Sequence, residues 1–124
     1  MMNKIICKRI YDAADENDGF RVLADRLWPR GIKKEKAGID FWAKEFAPSN
    51  ELRKWFSHIP EKFNGFSERY REELELNPGK SDFIDLIKTR LKDGNVTILY
   101  GSRDTVYNNA VVLKKWLEEK TEAR

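Results

Sequence analysis

The clearest strand segment of the chain is Val96–Tyr100, which reads VTILY, shows no apolar–polar alternation and lies between Gly94-Asn95 and Gly101-Ser102. A short run without alternation is typical of a central strand that is buried on both faces. The segments Lys4–Ile10 and Phe20–Asp25 also predict strands from their apolar and β-branched content. The pattern therefore indicates about three core strands.

Apolar residues at i, i+3 and i+4 predict four helices in the rest of the chain. The first follows Ser49 as its N-cap, and the second covers Glu61–Asn77, where Pro78-Gly79 ends it. Ser81 is the predicted N-cap of the third helix. The fourth is expected from about Asp104 to Glu119, with a buried face made of Val106, Ala110, Leu113 and Leu117.

The order of these elements predicts a small α/β fold. Strands that alternate with helices favour a mostly parallel sheet flanked by helices, and 124 residues leave room for a single domain spanning 1–124. About ten residues join the first two strands, which is short for a crossover helix. That pair is therefore open to antiparallel pairing as well.

Composition narrows the class of protein. The net charge is +3 with 36% charged residues, which by itself does not indicate a nucleic-acid-binding protein. One cysteine and one histidine argue against a disulfide scaffold or a structural zinc site, and no metal site is predicted. The chain has no apolar stretch of about 20 residues, so we expect no membrane span and a cytoplasmic protein. These features identify no cofactor and no oligomeric state.

The segment Gly19–Gly31 reads GFRVLADRLWPRG, and its interleaved arginines and tryptophan are highly specific. It resembles the signature of the YeaO-like branch of domain-of-unknown-function family 488. Further similarity covers nearly the whole chain, at residues 47–49, 51–56, 58, 69–70, 73–74, 98–100 and 108–113. The resemblance implies a YeaO-like α/β domain. Because the family's function is unknown, it implies no reaction and no catalytic residues.

The chain departs from the family pattern near the start of the last helix. The resemblance implies that members often carry a histidine there, after an asparagine. In this sequence Asn109 follows Asn108, so an imidazole is absent from this position. A role that requires an imidazole is not expected here.

Ligands of open α/β sheets bind beyond the carboxyl ends of the strands. After the second strand come Asp25, Arg26 and Arg30, and the third strand ends with three further polar residues, Tyr100, Ser102 and Arg103. If both strands are parallel, these side chains share one edge. Arginine suits carboxylate or phosphate, and the Gly101-Ser102 turn before a helix offers backbone N–H groups to an anion. The sequence therefore predicts an anion site at this edge.

Asp25 and His58 are candidates for acid–base chemistry. Asp25 is a candidate general base or ligand anchor, with a salt bridge to Arg21, Arg26 or another arginine as the structural alternative. His58 is the one side chain with an unperturbed pKa near neutrality. Asp104 is an alternative cap for the same backbone amides that would otherwise bind an anion.

Three functions remain open from the sequence. The first is a small-molecule enzyme or ligand-binding domain that takes an anionic ligand. The second is a nucleic-acid-binding or regulatory protein that uses a basic face made of Lys33, Lys34, Lys36, Arg53 and Lys54. This second function is less favoured because Glu35, Glu45 and Glu51 interrupt the basic run. The third is a partner-binding structural module.

Overall fold

The structure is a computed structural model that describes residues 3–122. Four strands form one parallel sheet in the order β1-β4-β2-β3, with β1 at Ile5–Arg9, β2 at Phe20–Leu23, β3 at Phe41–Trp42 and β4 at Val96–Tyr100. Five α-helices are α1 (Lys34–Ala37), α2 (Asn50–Phe56), α3 (Phe63–Leu76), α4 (Lys80–Asp93) and α5 (Asn109–Thr121). This arrangement confirms the predicted α/β class.

Strand β4 lies at the centre of the sheet and is buried along its whole length. Ile98 is fully buried, as the lack of apolar–polar alternation predicts. The strand pairs in parallel with β1 on one side, where Cys7 faces Ile98, and with β2 on the other, where Val22 faces Ile98. The carboxyl ends of all three strands therefore lie at the same edge.

The antiparallel alternative for the first two strands is wrong. β1 and β2 do not pair with each other, since β4 lies between them, and both run parallel to it. The connection from Ile10 to Gly19 can span roughly 30 Å when extended, whereas a five-residue strand is about 17 Å long. An extended link therefore returns the chain across the sheet without a full crossover helix, and it contains one 3₁₀ turn, Glu16–Asp18.

Strand β3 was not predicted from the sequence. It has two residues, which is too short for any periodic pattern, and it is held by the register of Val22 with Phe41 and of Leu23 with Trp42. Strand β2 ends at Leu23, two residues before the predicted end at Asp25.

The helix predictions were right in number for the four longer helices and wrong at two starts. Ser49 caps α2 as predicted, with its hydroxyl accepting from the N–H of Leu52 at 3.1 Å. Ser81 is not an N-cap, because α4 begins one residue before it and is preceded by Gly79. The Asn77 side chain accepts from the Gly79 N–H at 2.8 Å, and this turn starts the helix earlier than the serine indicates. Among residues 3–122, no helix is long and apolar enough to cross a membrane.

The start of α5 lies five residues after the predicted one at Asp104. Asn108 is the N-cap, and its side chain accepts from the N–H of Val111 at 3.0 Å. Asp104 instead closes the preceding turn, where its carboxylate accepts from the N–H groups of Val106 and Tyr107, both at 2.9 Å. Val106 is consequently not part of a buried helical face, and 57% of its surface is exposed.

Hydrophobic residues are buried on both faces of the sheet, and one face is covered by more elements than the other. One face packs against α2, α3, α4 and α5, and its largest fully buried side chains are Trp116, Tyr70 and Phe66. On the other face Leu23 and Leu99 pack against Trp28 and Trp42, which come from the segments after β2. The loop after β2 is therefore fixed by its own aromatic packing.

A buried ionic cluster closes the amino edge of the sheet. The Asp18 carboxylate accepts from the Arg21 guanidinium and from the Lys8 ammonium at 3.1 and 3.2 Å, and the Asp15 N–H donates at 3.1 Å. Burial alone would raise the pKa of Asp18, yet these donors together hold that pKa below its usual range. Asp18 is thus a structural anion with its partners in place.

Gly19 gives a sharp test of this edge. Its φ is +64°, and a Cβ there would lie 2.0 Å from the Asn95 carbonyl oxygen. We expect Gly19→Ala to cost more than about 4 kcal/mol or to prevent folding, because backbone atoms cannot move aside. Gly31 is the matched control: its φ is +77° with no atom near the added Cβ, so Gly31→Ala should cost about 1–2 kcal/mol. Urea unfolding measures both, and equal costs would contradict the close approach.

Asp18→Asn tests the ionic cluster. At pH 7 it should destabilise the protein by about 3 kcal/mol, since the largely buried Arg21 loses its counter-charge. A lowered folded-state pKa contributes stability above the unfolded value of about 3.9, and this is lost as the pH falls through the folded value. The difference between wild type and variant should therefore shrink at acid pH. A difference that is constant from pH 7 to pH 3 would refute this role for Asp18.

Candidate functional site

A cleft of about 580 Å³ opens at the carboxyl edge of the sheet. Its walls come from the loops after β2 and β4, from α2 and the two residues that follow it, and from the start of α5. Its ionisable side chains are Asp25, Arg26, Arg30, Arg53, Lys54 and His58. Five of the predicted site residues are therefore brought to one place: Asp25, Arg26, Arg30, His58 and Ser102.

Asp25 is held by the neighbouring strand and by the last helix. Its Oδ2 accepts from the Gly101 N–H at 2.8 Å, which joins the ends of β2 and β4. Its Oδ1 accepts from the Asn109 side chain at 3.2 Å, and the same amide group donates to the Ala24 carbonyl at 3.1 Å. These three contacts fix the carboxylate at the cleft with little freedom to rotate.

The electrostatics of Asp25 differ from those of Asp18. Burial raises the pKa of Asp25, opposed by the Gly101 and Asn109 hydrogen bonds and by the charges of Arg53 and His58. No ion pair to Asp25 forms within residues 3–122, so the predicted salt bridge to Arg21 or Arg26 is absent there: Arg21 is paired with Asp18 instead. Asp25 is therefore a partly buried carboxylate with cations nearby and none in direct contact.

Arg53 is the least satisfied polar group at the cleft. Its Nε is buried without a hydrogen-bond partner, and its guanidinium forms no ion pair in the described chain. The residue lies on α2 between the buried Leu52 and, one turn on, the buried Phe56, so it faces inward. Leaving such a donor unpaired costs roughly 1–3 kcal/mol, and natural proteins rarely accept this cost without a reason.

The predicted arginines of the β2 loop have different roles. Arg26 donates to the carbonyl oxygens of Pro48 and Ala47 at 3.0 and 3.2 Å, and it thereby ties the β2 loop to the start of α2. Arg30 is exposed at the cleft, and its carbonyl accepts from the Tyr11 hydroxyl at 3.0 Å. Arg26 thus has a positioning role, whereas the side chain of Arg30 is exposed to solvent.

His58 reaches the cleft through an unusual backbone. Ser57 and His58 have φ values of 46° and 57°, so two consecutive non-glycine residues adopt the left-handed conformation after α2. This conformation costs roughly 1–2 kcal/mol per residue. The Ser57 hydroxyl donates to the Lys54 carbonyl at 2.6 Å and supports the turn. Strain of this kind gathers at functional sites.

Tyr100 and Arg103 do not line the cleft. Tyr100 is 4% exposed, and burial raises its pKa. Arg103 is exposed in the loop after β4, and Ser102 reaches the cleft with its hydroxyl 3.1 Å from the Asp104 N–H, which donates to it. The sequence predicts that the Gly101-Ser102 turn has backbone N–H groups available to an anion. In the structure the Gly101 N–H donates to Asp25 instead.

Sequence reasoning missed Arg53, Lys54 and Asn109 as cleft residues. It assigned Arg53 and Lys54 to a basic helical face together with Lys33, Lys34 and Lys36. In the structure these three lysines are exposed around α1 and do not line the cleft themselves, although the Lys34 ammonium lies 5.7 Å from the centre of the ring of Trp28, which does. The helical period is the signal that could have identified Arg53. Arg53 lies three residues before the buried Phe56, and residues three apart lie on the same face of a helix.

These features define a class: a small parallel α/β domain with a predominantly basic cleft at the carboxyl edge of its sheet. The family model described as "Inactive DUF488-N3 subclade" matches residues 4–124, and the chain belongs to this family. No solved structure matches the chain.

Two relatives illustrate how far the similarity extends. The chain is 43% identical over 114 residues to the uncharacterised protein YeaO of Escherichia coli K12. The aligned region covers 91% of this chain and 96% of that protein. It is 40% identical over 111 residues to an uncharacterised protein of Mycobacterium tuberculosis H37Rv, covering 88% and 89%.

The raised pKa of Asp25 predicts an inverse pH effect on stability. A folded-state pKa above the unfolded value of about 3.9 adds stability that is complete below that value and is lost as the pH rises through the folded pKa. Asp25→Asn has no such contribution. The stability of wild type relative to Asp25→Asn should therefore increase from pH 7 to pH 4 in chemical denaturation.

Asp104→Asn is the matched control for this prediction. Hydrogen bonds from the Tyr107 and Val106 N–H groups lower the pKa of Asp104, so its contribution should stay level from pH 7 to pH 4 and be lost only below the unfolded value of about 3.9. From pH 7 to pH 4, the relative stability of wild type should therefore rise against Asp25→Asn and stay level against Asp104→Asn. A relative stability of Asp25→Asn that rises toward acid pH would refute the assignment.

Proposed function

We propose that this protein is a small-molecule-binding domain whose ligand carries a phosphate or carboxylate group held in the cleft. The observation that carries the proposal is the guanidinium of Arg53, a residue that lines the cleft and whose buried Nε has no hydrogen-bond partner among the described residues. An anion that accepts from this guanidinium would satisfy the donor, and arginine presents a planar fork that suits both groups.

The charge of the cleft supports an anionic ligand. Among the described residues, the cleft is lined by two arginines from the β2 loop, two basic residues from α2 and one carboxylate, that of Asp25. Because Arg26 is already bound to two carbonyl oxygens, Arg53, Lys54 and Arg30 are the cations available to a ligand. A concave site lined by one sign of charge attracts the opposite sign more strongly than a flat surface does.

Binding is favoured over catalysis in this proposal. Within residues 3–122, the cleft contains two titratable side chains besides its arginines and lysine, Asp25 and His58, but the side chain in contact with Asp25 is Asn109, an amide that takes up no proton. The matching family model is described as inactive, which agrees with a site that holds its ligand without turning it over.

Nucleic acid is the alternative ligand for a basic protein. The five basic residues of that prediction belong to two separate elements: Arg53 and Lys54 line the cleft from α2, and the three lysines of 33–36 are exposed around α1, with Lys34 beside the cleft residue Trp28. A continuous phosphate-contacting face is therefore not supported by this geometry.

The test compares Arg53→Gln with Arg103→Gln in phosphate and in sulfate. If the dissociation constant is on the order of 1 mM, then 10 mM phosphate adds about 1.4 kcal/mol of stability and raises the Tm by about 4 °C. Arg53→Gln should remove this shift without lowering the Tm of the free protein, since its Nε has no partner to lose. The shift should persist in Arg103→Gln, the matched exposed control.

Each other outcome has a definite meaning. Loss of the shift in Arg103→Gln alone would place the anion site at the loop after β4, as the sequence predicts. No shift in wild type would refute the proposal. Submicromolar binding of a labelled duplex at physiological salt, abolished by Lys33→Ala together with Lys34→Ala, would replace it with the nucleic-acid function.

A further inference from the structure

We infer that the ligand is an anion whose body contains a ring and carries a hydroxyl or another hydrogen-bond donor at the end remote from the anionic group. This inference rests on the proposed function, because it assumes that the anionic end binds at Arg53. It follows from the arrangement of three chemically different surfaces around the same cleft.

The first surface is cationic and belongs to α2 and the turn after it. Arg53 and Lys54 are consecutive on the helix, and His58 follows on the strained turn. In the described chain, neither Arg53 nor Lys54 uses its side-chain nitrogens in a hydrogen bond or ion pair. An anion placed here would meet donors that are not engaged elsewhere.

The second surface is the acceptor at Asp25. Each carboxylate oxygen accepts one hydrogen bond from the protein, whereas a carboxylate offers about four acceptor positions in all. Among residues 3–122, Asp25 is the one acidic side chain that lines the cleft. A second anionic group facing it would be repelled, and an apolar group would leave it desolvated, so the ligand must present a donor there.

The third surface is apolar and has two parts. Leu27 and Trp28 lie on the β2 loop, and Leu27 is 61% exposed although it is a leucine. Phe56 and Phe66, stacked with ring centres 4.3 Å apart, also line the cleft and come from α2 and α3. The Trp28 N–H donates to the Ile32 carbonyl at 2.6 Å, so the polar atom of the indole is satisfied and the rest of it is apolar.

A flat ring suits these rigid apolar surfaces better than a flexible chain does. Trp28 is fixed by its hydrogen bond and by edge-to-face packing on Trp42, with ring centres 5.3 Å apart. Aromatic surfaces that are already rigid bind a ring with little loss of conformational freedom. The cleft volume of about 580 Å³ lies within the range of about 300–1,000 Å³ that is typical of small-molecule sites.

Four phosphate monoesters of equal charge measure the contribution of the ring and that of the hydroxyl donor separately. They are ethyl phosphate, 2-hydroxyethyl phosphate, phenyl phosphate and 4-hydroxyphenyl phosphate. Their dissociation constants are measured by isothermal titration calorimetry at one pH and one ionic strength. We expect the ring to strengthen binding about tenfold. In the ring pair, the hydroxyl should add a further factor of about ten, as expected for a hydrogen bond to a charged acceptor.

Three variants assign each factor to its surface. Asp25→Asn should reduce the hydroxyl factor to below about threefold and leave the ring factor unchanged. Trp28→Leu should reduce the ring factor and leave the hydroxyl factor unchanged. Because Trp28 also packs on Trp42, Leu27→Ser at the exposed position provides a second test that does not depend on the core.

The outcomes distinguish this inference from the proposed function. If all four esters bind equally and Arg53→Gln abolishes binding, the cleft holds an anion and the inference about the ligand body is wrong. If none of the four binds, the proposed function itself is wrong. Ring and hydroxyl factors that survive both Asp25→Asn and Trp28→Leu would also overturn the inference, since the selectivity would arise elsewhere.

Discussion

Parallel pairing on both sides of β4 is the constraint on which the rest of the structure depends. The strand is buried throughout, and its backbone groups are satisfied by β1 on one side and β2 on the other. Because all three strands point the same way, the loops that leave them meet at one edge. The Gly101 N–H then bonds directly to Asp25, so the same pairing that builds the core also sets the floor of the cleft.

The two partly or fully buried aspartates show how one residue type serves two purposes. At the amino edge, Asp18 is surrounded by donors from Lys8, Arg21 and the backbone, and its pKa is lowered. At the carboxyl edge, Asp25 is bound by an amide and a backbone N–H, and burial raises its pKa. A saturated ionic cluster stabilises the fold, whereas a carboxylate and an arginine that stay apart leave both able to bind a ligand.

Energetically unfavourable local features are concentrated around α2. Arg53 has an unsatisfied buried donor, and the next turn places Ser57 and His58 in the left-handed conformation. The surrounding structure maintains these unfavourable features: Arg26 ties the β2 loop to the residues before the helix, and the stacked Phe56 and Phe66 hold its far end. A short helix fixed at both ends can present cations at defined positions, because its own backbone has little freedom to relax.

The sequence by itself determined the four longer helices, apart from two of their starts, and the burial of Val96–Tyr100, because both follow from local periodicity and composition. It also determined family membership through the Gly19–Gly31 segment. Tertiary structure alone decided that β4 lies between β1 and β2, that the two-residue β3 exists and that Arg53 faces the cleft. It also moved the start of α5 to Asn109, which brings that amide to Asp25. These features depend on contacts between residues distant in the chain, about which a local pattern carries no information.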